Sequence, residues 1–448
     1  LLLMTTRQQP NILFLFPDQH RPDWLGTNPS LPLKTPNIDR LCERGMRFTR
    51  AYCPSPVCAP SRACLASGRD YDRCGVRSNA DTYPVSQKTY YMALRDAGYR
   101  VAGVGKFDLD KPTQDWHLDG SRSIHAWGFT EGIDNEGKYD GSNSYLTNSE
   151  PVGPYLQFLH ERGRAEAYCR EHGPDFRGVT FGGYTTCLTD EEYCDNWLSE
   201  NGLRFLRDFP SGQPWHLVVN FTGPHDPRDV TESMRQRWQD APFPGPYAPD
   251  RAADLPGMTE ADHLRNRQNY AAMIENIDRQ VGRFIKLVKE RGELDNTLIV
   301  YSSDHGEMLG DHGRWGKGVW HEPSVGVPLV VAGPGVQRGM VSDELVALHD
   351  LAPTFLECAS AESLHDADAR SLCPLLGGHT LSHRDHVLTG LGDWRAVIDA
   401  QFKLVVDGEG QAALFDLQND PEELRDVAEM YPDQVARLSK LLPRRHDT

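Results

Sequence analysis

Nowhere in its 448 residues does this chain carry the run of about 18 or more apolar side chains that a membrane-crossing helix needs. Cysteine is scarce: ten thiols, at 42, 53, 58, 64, 74, 169, 187, 194, 358 and 373, with no Cys-x-x-Cys pair. That spacing argues against a structural zinc knuckle and leaves most of them as buried thiols. Basic residues are outnumbered, 47 Lys and Arg against 64 Asp and Glu, for a formal net charge of −17. The balance speaks against nucleic acid or an anionic membrane as the main partner, and it sits badly with an anionic substrate. Internal repeats are absent. The opening Leu-Leu-Leu-Met-Thr-Thr-Arg lacks a full apolar region and a small-residue cleavage site, and does not read as an intact signal peptide. The expectation is a cytoplasmic chain, or a periplasmic or secreted one whose leader was removed.

Short, near-continuous apolar runs are present instead. Asn11–Phe16, Tyr99–Val104, Trp215–Phe221, Thr297–Tyr301 and Pro328–Val331 have the character of parallel strands covered on both faces. Helical patterns lie between them, over Asn37–Gly45, Thr89–Gly98 and Glu260–Gly292. In the longest, Tyr270, Ile274, Ile277, Val281, Phe284, Ile285 and Val288 form one apolar stripe. Alternation of strand and helix predicts an α/β fold. The stretch from about Asp115 to Tyr155 is rich in Gly, Asp, Asn and Ser and reads as a surface excursion, with Asp134, Glu136 and Asp140 solvated rather than ligating. Its Trp127, Tyr139 and Tyr145 fit either stacking on sugar rings or anchoring of the loop. Beyond Pro353, short strands at Ala396–Ile398, Phe402–Val406 and Ala413–Leu417 precede a terminal helix from about Pro421. The chain is therefore divided into a larger α/β domain, 1–355, and a smaller α+β subdomain, 356–448.

Polar residues cluster just after the strands. Asp18 and Gln19 follow the first, Lys106 follows Tyr99–Val104, His225 follows Trp215–Phe221, and Asp304 and His305 follow Thr297–Tyr301. In an open parallel sheet, ligands bind beyond the carboxyl ends of the strands. Asp18, Gln19, Asp304 and His305 together suit one divalent cation, Ca²⁺ by the oxygens, with Mn²⁺ or Zn²⁺ allowed by the histidine. Lys106, Lys317 and Arg62 would add positive charge. Cys58 stands just before a helix start at Pro60-Ser61, a position that favours a thiolate nucleophile.

The string Cys58-Ala59-Pro60-Ser61-Arg62-Ala63-Cys64-Leu65-Ala66-Ser67-Gly68 has every fixed position of Cys-x-Pro-Ser-Arg-x-x-Leu-x-x-Gly. It resembles the signature of the type I sulfatases in the alkaline phosphatase superfamily. The opening NILFLFPDQ, the Ser303-Asp304-His305-Gly306 segment with Lys317 beyond it, and Leu414–Leu424 are similar to other parts of that family. The resemblance implies a large, mixed, mostly parallel sheet flanked by helices, and hydrolysis of a sulfate ester. It implies that Cys58 is converted to Cα-formylglycine by a generating enzyme during maturation, with the hydrated aldehyde as nucleophile. Arg62 would then orient that diol, and Asp18, Gln19, Asp304 and His305 would hold the metal. Lys106, Lys317 and Asn79 would bind sulfate oxygens, and His225 would protonate the leaving alkoxide or help hold the sulfate.

Two departures bear on the branch. The first pair is Asp18-Gln19 where many sulfatases have two aspartates, and the Gly-Lys-x-His motif reads Gly105-Lys106-Phe107-Asp108. Asp18-Gln19 with Asp304-His305 resembles the choline sulfatase and phosphonate monoester hydrolase branch. Asp108 is left with two readings, contact with substrate or pairing with Lys106. Three hydrolytic alternatives stay open: phosphonate monoesters or phosphodiesters at the same site, choline or aryl sulfates, and a conventional cysteine hydrolase using Cys58 and His225. The acidic surface favours a small or lightly sulfated substrate, a carbohydrate for preference. The sequence leaves homo-oligomerisation open.

Overall fold

The computed structural model describes residues 9–172, 183–250 and 258–443; the amino-terminal leucines on which the leader reading rests lie outside them. Sixteen strands are present among these residues. Eight form the main sheet: β1 (Asn11–Leu15), β2 (Gly45–Phe48), β4 (Arg100–Gly105), β5 (Glu131–Asp134), β7 (Trp215–Asn220), β9 (Thr297–Ser302), β10 (Leu329–Ala332) and β11 (Met340–Ser342). Two short pairs lie outside it, β3 (Ala51–Tyr52) with β12 (Val346–Ala347), and β6 (Tyr184–Thr185) with β8 (Asp229–Val230). A separate antiparallel sheet contains β13 (Val387–Leu391), β14 (Trp394–Ile398), β15 (Phe402–Val406) and β16 (Ala412–Asp416).

The order in the main sheet is β11-β2-β10-β9-β1-β7-β4-β5. Only β10 opposes its neighbours, so the sheet is mixed and mostly parallel, as expected, although Pro328–Val331 is not the parallel strand its apolar run suggests. Residues alternate between faces along each strand. Ile12, Phe14 and Phe16 enter one core, with the helices Cys58–Ser67, Tyr90–Asp96 and Leu351–Cys358. Leu13 and Leu15 enter the other, with Pro36–Arg44, Cys194–Asp208 and Glu260–Glu290. Cover on both sides is why these strands read as unbroken apolar runs. The long helix begins at a capping box in which Thr259 and Asp262 satisfy each other's backbone N–H groups. None of the described helices is long and apolar enough to cross a membrane.

The 115–155 segment differs from its sequence reading. It contributes the edge strand β5, which pairs with β4 in parallel, and a helix at Lys138–Asn148. Trp127 and Tyr145 are buried in cores, so they anchor the segment, while Asp134 and Glu136 are enclosed rather than solvated. The Asp134 carboxylate accepts from the Phe107 N–H and from Arg122, which explains why an acidic side chain stays inside. The carboxyl-terminal helix spans Pro432–Ser439 rather than starting at Pro421. Before it, the chain lies along β16, with Val427 N donating to Leu414 O (2.8 Å) and the Asp426 carboxylate accepting from Leu414 N (3.0 Å).

Candidate active site

Strands β9, β1, β7 and β4 are consecutive in the sheet and run in one direction. Their carboxyl ends therefore deliver Asp304 and His305, Asp18 and Gln19, His225, and Lys106 to a single rim. The helix Cys58–Ser67 meets this rim with Cys58 as its first residue, two positions before the Pro60-Ser61 start read from sequence. All ten helix residues are buried, and the helix ends at Gly68, whose φ of 67° is a left-handed stop. Ser61 Oγ donates to the Asp304 carbonyl (2.6 Å) and fixes the helix against β9.

Around the Cys58 sulfur stand His305 Nε2 at 3.3 Å, Lys106 Nζ at 3.5 Å and Asp18 Oδ1 at 3.8 Å. His305 Nδ1 lies 3.0 Å from the Gly306 carbonyl, which places the ring proton on Nδ1 and leaves Nε2 as a lone pair aimed at the centre. Burial lowers the His305 pKa and keeps the ring neutral. One donor atom each from Asp18, Cys58, Asp304 and His305 lie within 4.8 Å of one another, all buried. Two hard carboxylates and a neutral imidazole converging in this way fit a divalent cation.

Gln19 behaves differently from a simple fourth ligand. Its N–H donates to Asp304 Oδ1 (3.0 Å), its side-chain oxygen accepts from Lys317, and its side-chain nitrogen donates to Glu307. The backbone here has φ 67°. Arg62 is committed to the carboxylates: Nε donates to Asp304 Oδ2 (3.0 Å), Nη1 to Asn220 Oδ1 (3.0 Å) and to the Lys106 carbonyl (2.6 Å), and Nη2 lies 3.5 Å from Asp18 Oδ2. Phe16 covers the guanidinium at 4.9 Å. Lys106 Nζ bonds Asp18 and lies 3.1 Å from Asp108 Oδ2, which Lys111 approaches to 3.5 Å. Asp108 thus pairs with Lys106, a contact that leaves its reading as a substrate-binding residue open.

These charges set one another. Burial alone would raise the Asp18 pKa, but Lys106, His225, Arg62 and Lys317 outweigh it and hold the carboxyl well below its ordinary range. Burial would discharge Lys106, yet Asp108 and Asp18 keep its ammonium protonated well above the usual value. Lys317 Nζ is 2.6 Å from His225 Nε2, whose Nδ1 faces the Asp226 carbonyl. That pattern writes His225 as the Nδ1–H tautomer, with Nε2 accepting a hydrogen bond from the Lys317 ammonium. Asn79 Oδ1 accepts from Ala59 N (3.0 Å) at the start of the helix. Above the centre opens a cavity of about 400 Å³, lined among others by Asn79, Lys106, Lys111, Tyr139, Asn143 and His225.

Several residues of the site escape sequence reasoning. Glu307 accepts from Leu309 N (3.0 Å), Gly316 N (2.7 Å) and Gln19, and pairs with Arg228 (2.9 Å), so it ties the Lys317 loop to β1. Asp195 accepts from Thr222 N (2.8 Å), Thr222 Oγ1 (2.9 Å) and Gly223 N (3.1 Å), holding the turn that carries His225. Glu307 could have been found by its place two residues after His305; Asp195, in the middle of a helical pattern, gives no signal.

A family model described as Sulfatase matches residues 10–361, and one described as N-sulphoglucosamine sulphohydrolase, C-terminal, matches residues 310–446. The chain is 30% identical over 454 residues to a choline-sulfatase of Rhizobium meliloti (strain 1021), covering 95% of this chain and 83% of that protein. It is 28% identical over 469 residues to an arylsulfatase of Clostridium perfringens (strain 13 / Type A), covering 97% and 94%. The crystal structure of a phosphonate monoester hydrolase of Agrobacterium radiobacter superposes with a TM-score of 0.79 at 25% identity, covering 96% of this chain and 94% of that one.

Proposed function

This chain belongs to the sulfatase family of the alkaline phosphatase superfamily and is a sulfuric ester hydrolase, and from that premise we propose a substrate and a mechanism. The substrate is the sulfate monoester of a small or lightly sulfated carbohydrate, cleaved to alcohol and inorganic sulfate. The observation that carries the mechanism is the convergence of Asp18, Asp304, His305 and Lys106 on the Cys58 sulfur. Converted to Cα-formylglycine by a generating enzyme, residue 58 would supply, as the hydrated aldehyde, one hydroxyl to attack sulfur and a second whose deprotonation would release sulfate. Asp18, Asp304 and His305 would hold one divalent cation, Ca²⁺ by preference, which would polarise the sulfate oxygens, while Gln19 braces Asp304 through its backbone N–H.

The remaining work falls to the chain's own side chains. Arg62, bonded to both Asp18 and Asp304, fixes the carboxylates and adds positive charge behind the nucleophile. Lys106 and Asn79 face the cavity, where they bind sulfate oxygens and stabilise charge as the ester bond breaks. His225 Nε2 takes a proton from the Lys317 ammonium across their 2.6 Å contact and passes it to the departing alkoxide, leaving the lysine to be reprotonated by solvent. Nucleophile and metal ligands belong to the 1–355 domain, and the 356–448 subdomain supports its flank.

A second reading, hydrolysis of phosphonate monoesters or phosphodiesters, is favoured by the structural likeness at a TM-score of 0.79. Choline sulfate fits less well. Tyr139 is the single aromatic lining the cavity among the described residues, and a quaternary ammonium calls for a cage. The test is release of sulfate or phosphate from sulfated mono- and oligosaccharides, choline sulfate, aryl sulfates and phosphodiesters, using chain co-expressed with a formylglycine-generating enzyme. A higher kcat/KM on a sugar monosulfate than on all others is expected. Preference for long polysulfated chains would overturn the substrate assignment. An intact mass showing an alkylatable Cys58 thiol in active protein would overturn the formylglycine mechanism.

A further inference from the structure

Two cysteines far from the catalytic rim are placed for chemistry of their own. Cys358 ends the helix Leu351–Cys358, and Cys373 begins the short helix Cys373–Leu376. Their sulfurs are 3.4 Å apart. An approach of about 1.4 Å brings them to the disulfide length of about 2.0 Å. Both are half-buried and line a cavity of about 610 Å³ with Pro10, Leu298, Val336 and His379, so small reagents have access to them. By contrast Cys53, Cys64, Cys74, Cys169 and Cys194 are enclosed in the protein interior.

The loop between the pair, residues 359–372, backs the nucleophile helix. Asp368 N and Ala369 N donate to the Gly68 carbonyl at 2.9 and 3.0 Å. The Asp368 carboxylate accepts from Asp70 N (3.0 Å), and Leu372 N donates to Thr354 Oγ1 (2.8 Å). Gly68 is the residue that terminates the helix headed by Cys58. Holding the two ends of this loop together therefore stiffens the seat of that helix.

We propose that Cys358 and Cys373 form a reversible disulfide that clamps the 359–372 loop against the end of the nucleophile helix. The oxidant is a low-molecular-weight disulfide. One cysteine thiolate attacks it, forming a mixed disulfide and releasing one small thiol. The second cysteine thiolate then attacks the protein sulfur of that mixed disulfide and releases the other. Two protein thiols and one small disulfide become one protein disulfide and two small thiols. A dithiol reductant reverses the exchange.

The test exposes the holoenzyme to oxidised glutathione, alkylates it, digests it without reduction and maps the peptides. A linked pair containing Cys358 and Cys373, lost on adding dithiothreitol, is expected. Closing a loop of this length is expected to raise the thermal midpoint by about 3 °C in a chain of this size. Neither Cys358→Ser nor Cys373→Ala is expected to gain that increment. Two sulfurs that remain alkylatable, or that each carry glutathione without linking, would overturn the disulfide. A linked protein whose midpoint stays level or falls would overturn the clamp.

Discussion

Lys317 and His225 meet on the rim with 2.6 Å between nitrogens, and their assignment as a proton relay separates substrates by leaving group. A sugar alkoxide needs a proton to depart, whereas 4-nitrophenolate does not. His225→Ala is therefore expected to reduce kcat/KM by about 10²–10⁴-fold on a sugar sulfate and by less than about tenfold on 4-nitrophenyl sulfate. Equal losses on both would mean the histidine only holds the sulfate. Glu307 is the other residue on which much converges. It is fully buried and opposes Arg228, itself fully buried beneath Trp315 at 4.7 Å. Replacing one partner leaves the other charge in the interior, so Glu307→Gln is expected to cost about 3–5 kcal/mol in urea unfolding. Adding Arg228→Met is expected to recover part of that loss, an interaction a double-mutant cycle reads directly.

At the scale of elements, the rim depends on how closely β4 and β7 approach. Gly105 closes β4 with φ 107°, and a Cβ built there would sit 1.9 Å from the Asn220 carbonyl oxygen. Asn220 in turn accepts from Arg62, and its carbonyl accepts from Lys106 N. Gly105→Ala is expected to force these strands apart, with a lower thermal midpoint and a loss of activity larger than that of Gly98→Ala, where the space is open. What sequence could show at this scale follows from burial. Strands β1, β7 and β9 are covered on both faces and announce themselves as apolar runs, and the charged residues following each run were legible with them. The edge strand β5, Glu-Gly-Ile-Asp, has one neighbour and half-exposed residues over its first half. Its strand character comes from pairing with β4, which no local pattern records. Cys58 and its string were legible because their spacing is contiguous. Asp195 was not, because its partners lie 27 and 28 residues away.

Over the whole molecule, the two sheets are joined by buried charge. Lys403 on β15 reaches Glu423 (2.7 Å) and the Trp320 carbonyl (2.9 Å), and Glu423 accepts from Glu322 N (2.7 Å). Burial opposes the Glu423 charge, but Lys403 and His321 outweigh it and draw the carboxyl from an ordinary 4.5 down to about 2. A depressed carboxylate stabilises the fold above its unfolded pKa and loses that contribution as pH falls through the folded value. The urea midpoint of the protein is thus expected to exceed that of Glu423→Gln at pH 7, with the gap narrowing between pH 4.5 and 2. A gap independent of pH would remove Glu423 from the account of acid stability. The net charge of −17 also takes a different meaning at this scale. Against that acidic total, the cavity gathers three lysines, Lys106, Lys111 and Lys138, with two aspartates, Asp140 and Asp226.

The burial of the nucleophile helix also sets a sequence of events in time. Cys58 is 1% exposed, and every residue of its helix is enclosed. A modifying enzyme needs to reach the Cys58 side chain, and the finished fold leaves it no opening here. On the proposed mechanism, conversion of Cys58 would therefore have to precede closure of the sheet over it. A protein that folded first would then keep its thiol, whatever enzyme it later met.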